Sequence, residues 1–142
     1  MEIASKVVWR DGMAFAAELD GHTLLLDADE EFGGQNRGPR PKGLTLVSLG
    51  GCTAMDVVAI LNKMRVPLER LEVTLDSVLP DEHPKKFTKI VVRYHLWGKD
   101  LPVEKVQRAV QLSEEKYCGV RATLAPTVAM ETEIYLNDER VK

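Results

Sequence analysis

The sequence predicts an α+β domain whose elements run βββ-α-ββ-α-β. Three observations carry that prediction. Strand-like runs in the first third are punctuated by two Asp-Gly pairs, one long apolar stretch lacks a polar face, and a clean apolar/polar alternation closes the chain. At 142 residues the chain is read as one domain, residues 1–142.

Ile3 to Trp9 and Met13 to Leu19 are β-rich runs separated by Arg10-Asp11-Gly12, and Asp20-Gly21 precedes a third run from Thr23 to Ala28. Asp-Gly between such runs is a strong hairpin signal, because glycine takes positive φ without steric cost. Asp29 to Lys42, rich in Gly and Pro, is a loop. Gly43 to Arg65 is apolar nearly all round, which marks a helix buried on most sides; Lys63, Arg65 and Pro67 end it. Asp56 interrupts its apolar run well short of a membrane span. Gly50-Gly51 in its middle point to a close approach by another backbone. Leu71, Val73 and Leu75, then Ile90, Val92, Tyr94 and Leu96, alternate as two strands. Pro102 to Cys118 is a second helix with a stripe of Val103, Val106, Ala109, Val110, Ser113 and Tyr117, a Glu104–Arg108 pair outside, and Gly119 as its cap. Val128, Met130, Thr132, Ile134 and Leu136 line one face of a last strand, and Asn137 to Lys142 is a polar tail. One small chain is hard pressed to cover so apolar a first helix, so a dimer is expected.

Composition narrows the functions open to this fold. Net charge is −3, from 19 basic and 22 acidic residues, too even a balance for a nucleic-acid groove or a membrane-adsorbing face. The N-terminus has no basic region followed by an apolar run, so no secretory signal is read. Two cysteines are too few for a secreted disulfide framework. A soluble cytoplasmic protein is the expectation.

Cys52 sits in Gly50-Gly51-Cys52-Thr53-Ala54-Met55-Asp56, inside the apolar helix. Cys118 sits in Glu115-Lys116-Tyr117-Cys118-Gly119-Val120-Arg121-Ala122-Thr123-Leu124, at the end of the second. Three readings are open. Unpaired cysteines are often inert core residues. Metal ligation is disfavoured, since there is no Cys-x-x-Cys and His22, His83 and His95 stand singly. In the third reading they are a redox pair, one thiolate attacking an oxidant and the other resolving it.

The two cysteine segments resemble those of the OsmC/Ohr family (osmotically inducible protein C and organic hydroperoxide resistance proteins), most closely its YhfA-like branch. The likeness covers nearly the whole chain, and both motifs stand in family order on the matching helices. It implies an OsmC-like fold: an intertwined homodimer with two central cysteine-bearing helices packed against antiparallel sheets, and an active site at each subunit interface. It implies a thiol peroxidase acting on organic hydroperoxides. Cys52 would be oxidised to sulfenic acid, and Cys118 would resolve it as a disulfide with loss of water. A dithiol reductant, a dihydrolipoyl group in the Ohr branch, would reopen the bond. No metal, flavin or haem is implied.

A peroxidatic cysteine must be a thiolate, and a free thiol of pKa about 8.5 is mostly protonated at neutral pH. Cys52 lies beyond the reach of its helix dipole, so a cation is required. Arg10 is the candidate, since Arg10-Asp11-Gly12 resembles the turn that supplies the active-site arginine in the Ohr branch. A guanidinium there could hold thiolate and departing hydroxide together; a solvated hairpin arginine is the alternative. Arg37, Arg40 and Arg121 are read as surface charges. One departure matters. The Ohr branch grips its arginine with a glutamate entering the helix, and Lys42 stands at that position, after Pro41. The clamp is then rebuilt from Glu18, Glu30 or Glu31, or is absent. This opens a second reading, a non-peroxidatic dimer serving as a thiol redox sensor or small-ligand-binding protein. Asp56, one turn beyond Cys52, needs a partner in so apolar a helix.

Overall fold

Turn chemistry shapes the N-terminal sheet. The computed structural model describes residues Met1–Lys142. Strands β1 (Ser5–Asp11), β2 (Ala14–Leu19) and β3 (His22–Leu26) form an antiparallel meander in that order. Asp20 and Gly21 take φ of 52° and 77° between paired Leu19 and His22, the two-residue turn whose twist suits a hairpin. The register of β1 shifts between Trp9 and Asp11, which leaves Arg10 as the extra residue of a bulge.

The chain divides into two compact units, Met1–Val47 and Ser48–Lys142. In the first, the loop after β3 is tied by side chains. The buried Asp27 carboxylate accepts the N–H groups of Ala28 (2.8 Å), Arg37 (3.2 Å) and Gln35 (3.3 Å), and Nε of Arg37 at 2.9 Å. The other Arg37 nitrogens reach Asp11 at 2.6 and 3.2 Å, and Arg40 pairs with Asp29 and Asn36. Both arginines are therefore ties, not the solvated charges their context suggests. A loop without ladder hydrogen bonds must satisfy its backbone by other means. Gly34 and Gly38 let it lie close: an added Cβ would stand 2.0 Å from the Ala28 carbonyl oxygen and 1.9 Å from that of Leu25.

Burial opposes the charge on Asp27, but hydrogen bonds from Arg37, Ala28 and Gln35 outweigh it and hold the carboxyl at about 2, against an ordinary 3.8. A carboxyl lowered on folding contributes stability that is complete above its unfolded value and lost as pH falls through the folded one. Thermal melting should show the wild type above Asp27→Asn at neutral pH. The two curves should converge as pH falls from about 4 to about 2.

Helix α1 (Gly43–Lys63) ends where Arg65 takes φ 58° and the Val66 N–H returns to the Leu61 carbonyl at 2.9 Å. Arginine here fills the left-handed position that glycine usually takes. Leu49, Thr53, Val57 and Leu61, at intervals of four, are buried along one stripe with Gly50 beside them. The sequence suggests a helix covered on most sides; a single chain covers this stripe and leaves Val47, Met55 and Val58 exposed. By length and composition α1 is apolar enough to cross a membrane. A Cβ on Gly50 would meet Leu75 Cδ1 at 2.7 Å, so this glycine admits a leucine side chain rather than a backbone, while Gly51 faces open space.

The second sheet holds β4 (Arg70–Val78), β5 (Lys89–Trp97), β6 (Ala129–Leu136) and β7 (Glu139–Arg140), in that order. Ile90, Val92, Tyr94 and Leu96 of central β5 are fully buried on one face. Strands β5 and β6 run parallel, a correction to the antiparallel expectation. A helical crossover joins them, and such crossovers connect parallel neighbours. Asn137 and Asp138, at φ 49° and 69°, turn the expected tail back as β7.

Helix α2 (Val103–Leu112) buries Val106, Ala109 and Val110, and Arg108 donates to Gln111 rather than pairing with Glu104. It then widens over Ser113–Tyr117, where the Cys118 N–H bonds the Ser113 carbonyl five residues back at 2.8 Å. Helix α3 (Gly119–Leu124) follows. The single helix ending at a Gly119 cap is thus corrected. Cys118, at φ −78° and ψ 98°, leaves helical geometry, and Gly119 opens the next helix.

Candidate functional site

The site is built on α1. Cys52 and Asp56 are four residues apart, so their side chains share one helix face. Both are half-buried. Cys118 reaches them from the joint between the widened turn and α3. The two sulfurs and an Asp56 carboxylate oxygen lie within 4.8 Å of one another, and both thiols are free. Cys118 is buried, and its Sγ accepts the Arg121 N–H at 3.4 Å as the N-cap of α3.

The Cys118 thiol is pushed up to about 11. Burial is the main cause; the Arg121 N–H works against it, and a hydrogen bond with Cys52 and the charge of Asp56 add to the rise. Cys118 is a protonated thiol at neutral pH.

A chain of hydroxyls leads away from Asp56. Ser113 Oγ donates to Asp56 Oδ2 at 2.9 Å. Each hydroxyl has one proton, so Thr53 Oγ1 donates to Ser113 Oγ at 2.7 Å and Tyr94 OH to Thr53 Oγ1 at 2.8 Å. Thr53, Ser113 and Tyr94 are all buried, and they come from α1, the widened turn and β5. At the far end Glu114 Oε2 accepts Arg121 Nη1 at 2.7 Å and Thr132 Oγ1 at 2.6 Å, with Tyr94 OH a longer 3.4 Å away. Burial first, then the Glu114 charge, push the Tyr94 phenol well above its ordinary 10.0. Asp56 also opens onto an apolar groove of about 340 Å³, walled by Ala59, Ile60, Met64, Leu112 and Tyr117, with Lys63 at its edge.

Of the residues singled out from sequence, Cys52, Cys118 and Asp56 belong to this cluster, and Arg121, read as a surface charge, is instead paired with Glu114. Arg10 is exposed at the bulge of β1, in the other unit, and Lys42 is exposed at the entrance to α1. In the N-terminal unit it is Arg37 that two carboxylates hold, those of Asp27 and Asp11. The hydroxyl chain and the Glu114–Arg121 pair are absent from the sequence reading. Their only signal there is Ser113 and Thr53 standing within apolar stripes.

The profile of OsmC-like proteins matches residues 33–133. The chain belongs to the OsmC-like family. This OsmC-like chain is 38% identical over 125 residues to Protein YhfA of Escherichia coli (strain K12), spanning 87% of this chain and 90% of that one. A hypothetical protein from Aquifex aeolicus VF5 superposes with a TM-score of 0.86 at 26% identity, covering 96% of this chain and 97% of that one. An organic hydroperoxide resistance protein OsmC from Legionella pneumophila has the same fold, with a TM-score of 0.70 at 17% identity over 95% of this chain and 97% of that one.

Proposed function

We propose that this OsmC-like protein is a thiol-dependent reductase of organic hydroperoxides, working as a homodimer in the cytoplasm, where thiols are kept reduced. The observation that carries the reading is the pair of free thiols brought within 4.8 Å beside an apolar groove. The Cys52 thiolate attacks the outer oxygen of the hydroperoxide, the O–O bond breaks, and the alcohol leaves with a proton. Cys52 is then a sulfenic acid. The Cys118 sulfur displaces hydroxide from it, and water and a disulfide result. A dithiol, for which a dihydrolipoyl protein is the model, returns both thiols by exchange. A cation is required to hold the Cys52 thiolate, and Arg10 is the candidate that the family resemblance supplies. The groove suits the alkyl or aryl part of the substrate.

Two features support the homodimer. The outer face of α1 is apolar and open, with Met55 75% and Val47 65% exposed, and β1 is exposed at every position although it carries Val7, Val8 and Trp9. Surfaces of this kind mark interaction sites.

The test is a free-thiol count on native protein before and after one equivalent of cumene hydroperoxide, with mass mapping of the product. Rapid loss of both thiols into a Cys52–Cys118 disulfide is expected. Two unchanged thiols would sink the reading. Lys42, which reverses the charge of the Ohr-branch glutamate, favours the second reading, a redox sensor or small-ligand-binding dimer. That reading predicts slow or absent turnover.

A further inference from the structure

We propose that Asp56 is the proton acceptor for Cys118 when the disulfide closes, and that the Ser113–Thr53–Tyr94 chain lets it change charge inside the protein. The proposal rests on the redox reading of the cysteine pair, and its test needs no hydroperoxide.

Closure requires Cys118 to lose a proton, and as an isolated thiol pushed to about 11 it holds that proton at neutral pH. The groups facing the exchange are Cys52 and Asp56 on α1, with Lys63 and Tyr117 on the groove wall and the Glu114–Arg121 pair beyond Tyr94. Among them the Asp56 carboxylate has an oxygen within 4.8 Å of both sulfurs, a separation that one water can bridge. In the step, the Cys118 proton passes to Asp56 and the Cys118 sulfur attacks the Cys52 sulfur. The bond from Cys52 to its leaving group breaks, and the electron pair departs with that group, hydroxide from a sulfenic acid or thiolate from a mixed disulfide. Asp56 then returns the proton to the departing group or to solvent.

The buried hydroxyls beside such a base must be satisfied in both its states, because a buried polar group left unpaired is destabilising. The hydroxyl chain does this by reversing. With Asp56 ionised, Tyr94 donates to Thr53, Thr53 to Ser113 and Ser113 to Asp56. With Asp56 protonated, Asp56 donates to Ser113, Ser113 to Thr53, Thr53 to Tyr94, and Tyr94 to Glu114 across the longer 3.4 Å contact. No buried side-chain oxygen in the chain lacks a partner, and the reversal changes no heavy-atom position. Ser113, Thr53 and Tyr94 are positioning residues in this scheme.

The test uses dithiobis(nitrobenzoate), an aromatic disulfide that releases a coloured thiolate twice, once on capture of Cys52 and again when Cys118 closes the bond. Asp56→Asn keeps the size of the side chain and an acceptor for Ser113 but cannot take the proton. It is expected to slow the second release, measured against the first in the same protein, about 10²-fold at neutral pH. The deficit should vanish as pH approaches the value at which Cys118 ionises unaided. Ser113→Ala should show the same pH-dependent deficit, which a mere packing defect would not. Asp56 acting only as a neighbouring anion gives the opposite sign, a faster second release in Asp56→Asn, because the variant relieves repulsion on the Cys118 thiolate. That acceleration, an unchanged rate, or a wild type that never closes each overturns the proposal. A protein that closes here yet ignores cumene hydroperoxide sinks the peroxidase reading and leaves Asp56 as the base.

Discussion

Replacing Cys52 by serine is expected to abolish hydroperoxide turnover, a loss of about 10³-fold or more, because a serine hydroxyl cannot supply the thiolate's nucleophilicity. Replacing Cys118 by serine should have a different signature: one rapid equivalent of alcohol without turnover, then only the slow further equivalents that over-oxidation of Cys52 releases. The asymmetry comes from the environments of the two sulfurs. Cys118 is buried and held protonated, its thiol pushed to about 11, whereas Cys52 is half-buried. Without its partner, the Cys52 sulfenic acid has no thiol to displace its hydroxide and passes to sulfinic and sulfonic acids under excess peroxide. Intact-mass measurement separates the cases. Wild type should convert to the disulfide, Cys118→Ser should gain successive oxygens, and Cys52→Ser should stay unchanged. Oxygen addition at Cys118 in the Cys52→Ser variant would reverse the assigned order.

The second large effect concerns assembly. Met55→Glu is a surface change on the isolated chain and would be worth at most about 0.5 kcal/mol there. If a second copy covers α1, the same glutamate is buried twice, once from each side of the two-fold axis, and the dimer should dissociate. Gly51→Ala sharpens the test. Nothing lies within 4 Å of its added Cβ in one chain, and alanine in a helix interior favours the helix by about 1 kcal/mol over glycine. Seated against a partner, the same methyl would overpack the interface. Light scattering against concentration should show wild type dimeric, Met55→Glu monomeric, and Gly51→Ala weakened in dimerisation with a monomer no less stable. Dimers of unaltered affinity in both variants would place the interface elsewhere.

The parts of the fold visible in the sequence are those governed by local rules. Asp20-Gly21 announced its hairpin because both residues accept positive φ, and the alternation of β5 and β6 announced a sheet with one buried face. Cys52 and Cys118 stand out through their flanking motifs. Features in which a local signal points the wrong way do not. Gly119 after a long amphipathic run reads as a helix end, yet it begins α3 because Cys118 leaves helical geometry one residue earlier. Arg37 and Arg40 sit in a Gly- and Pro-rich segment that reads as solvent-exposed, and only the fold brings Asp27, Asp11 and Asp29 to them. Ser113 and Thr53 were hidden within stripes of apolar residues, since a buried hydroxyl and a buried methyl have the same periodicity. Their partners are 60 residues apart in sequence or come from β5, and no spacing rule spans that distance.

The widened turn at Ser113–Tyr117 acts as a phase adjuster. In a regular α-helix, side chains five residues apart diverge by about 140° around the axis. Ser113 and Cys118 would then point to different sides, and only one of them could face Asp56. The extra residue in that turn brings hydroxyl and thiol to the same carboxylate. Deleting one residue between them would place them four apart in a regular helix, about 40° from each other, so hydroxyl and thiol would keep their common face while the widened turn was lost. The widened turn thus lets five residues take the place of four, and an alignment to a helix one residue shorter keeps the cysteines matched only where its gap falls inside Ser113–Tyr117.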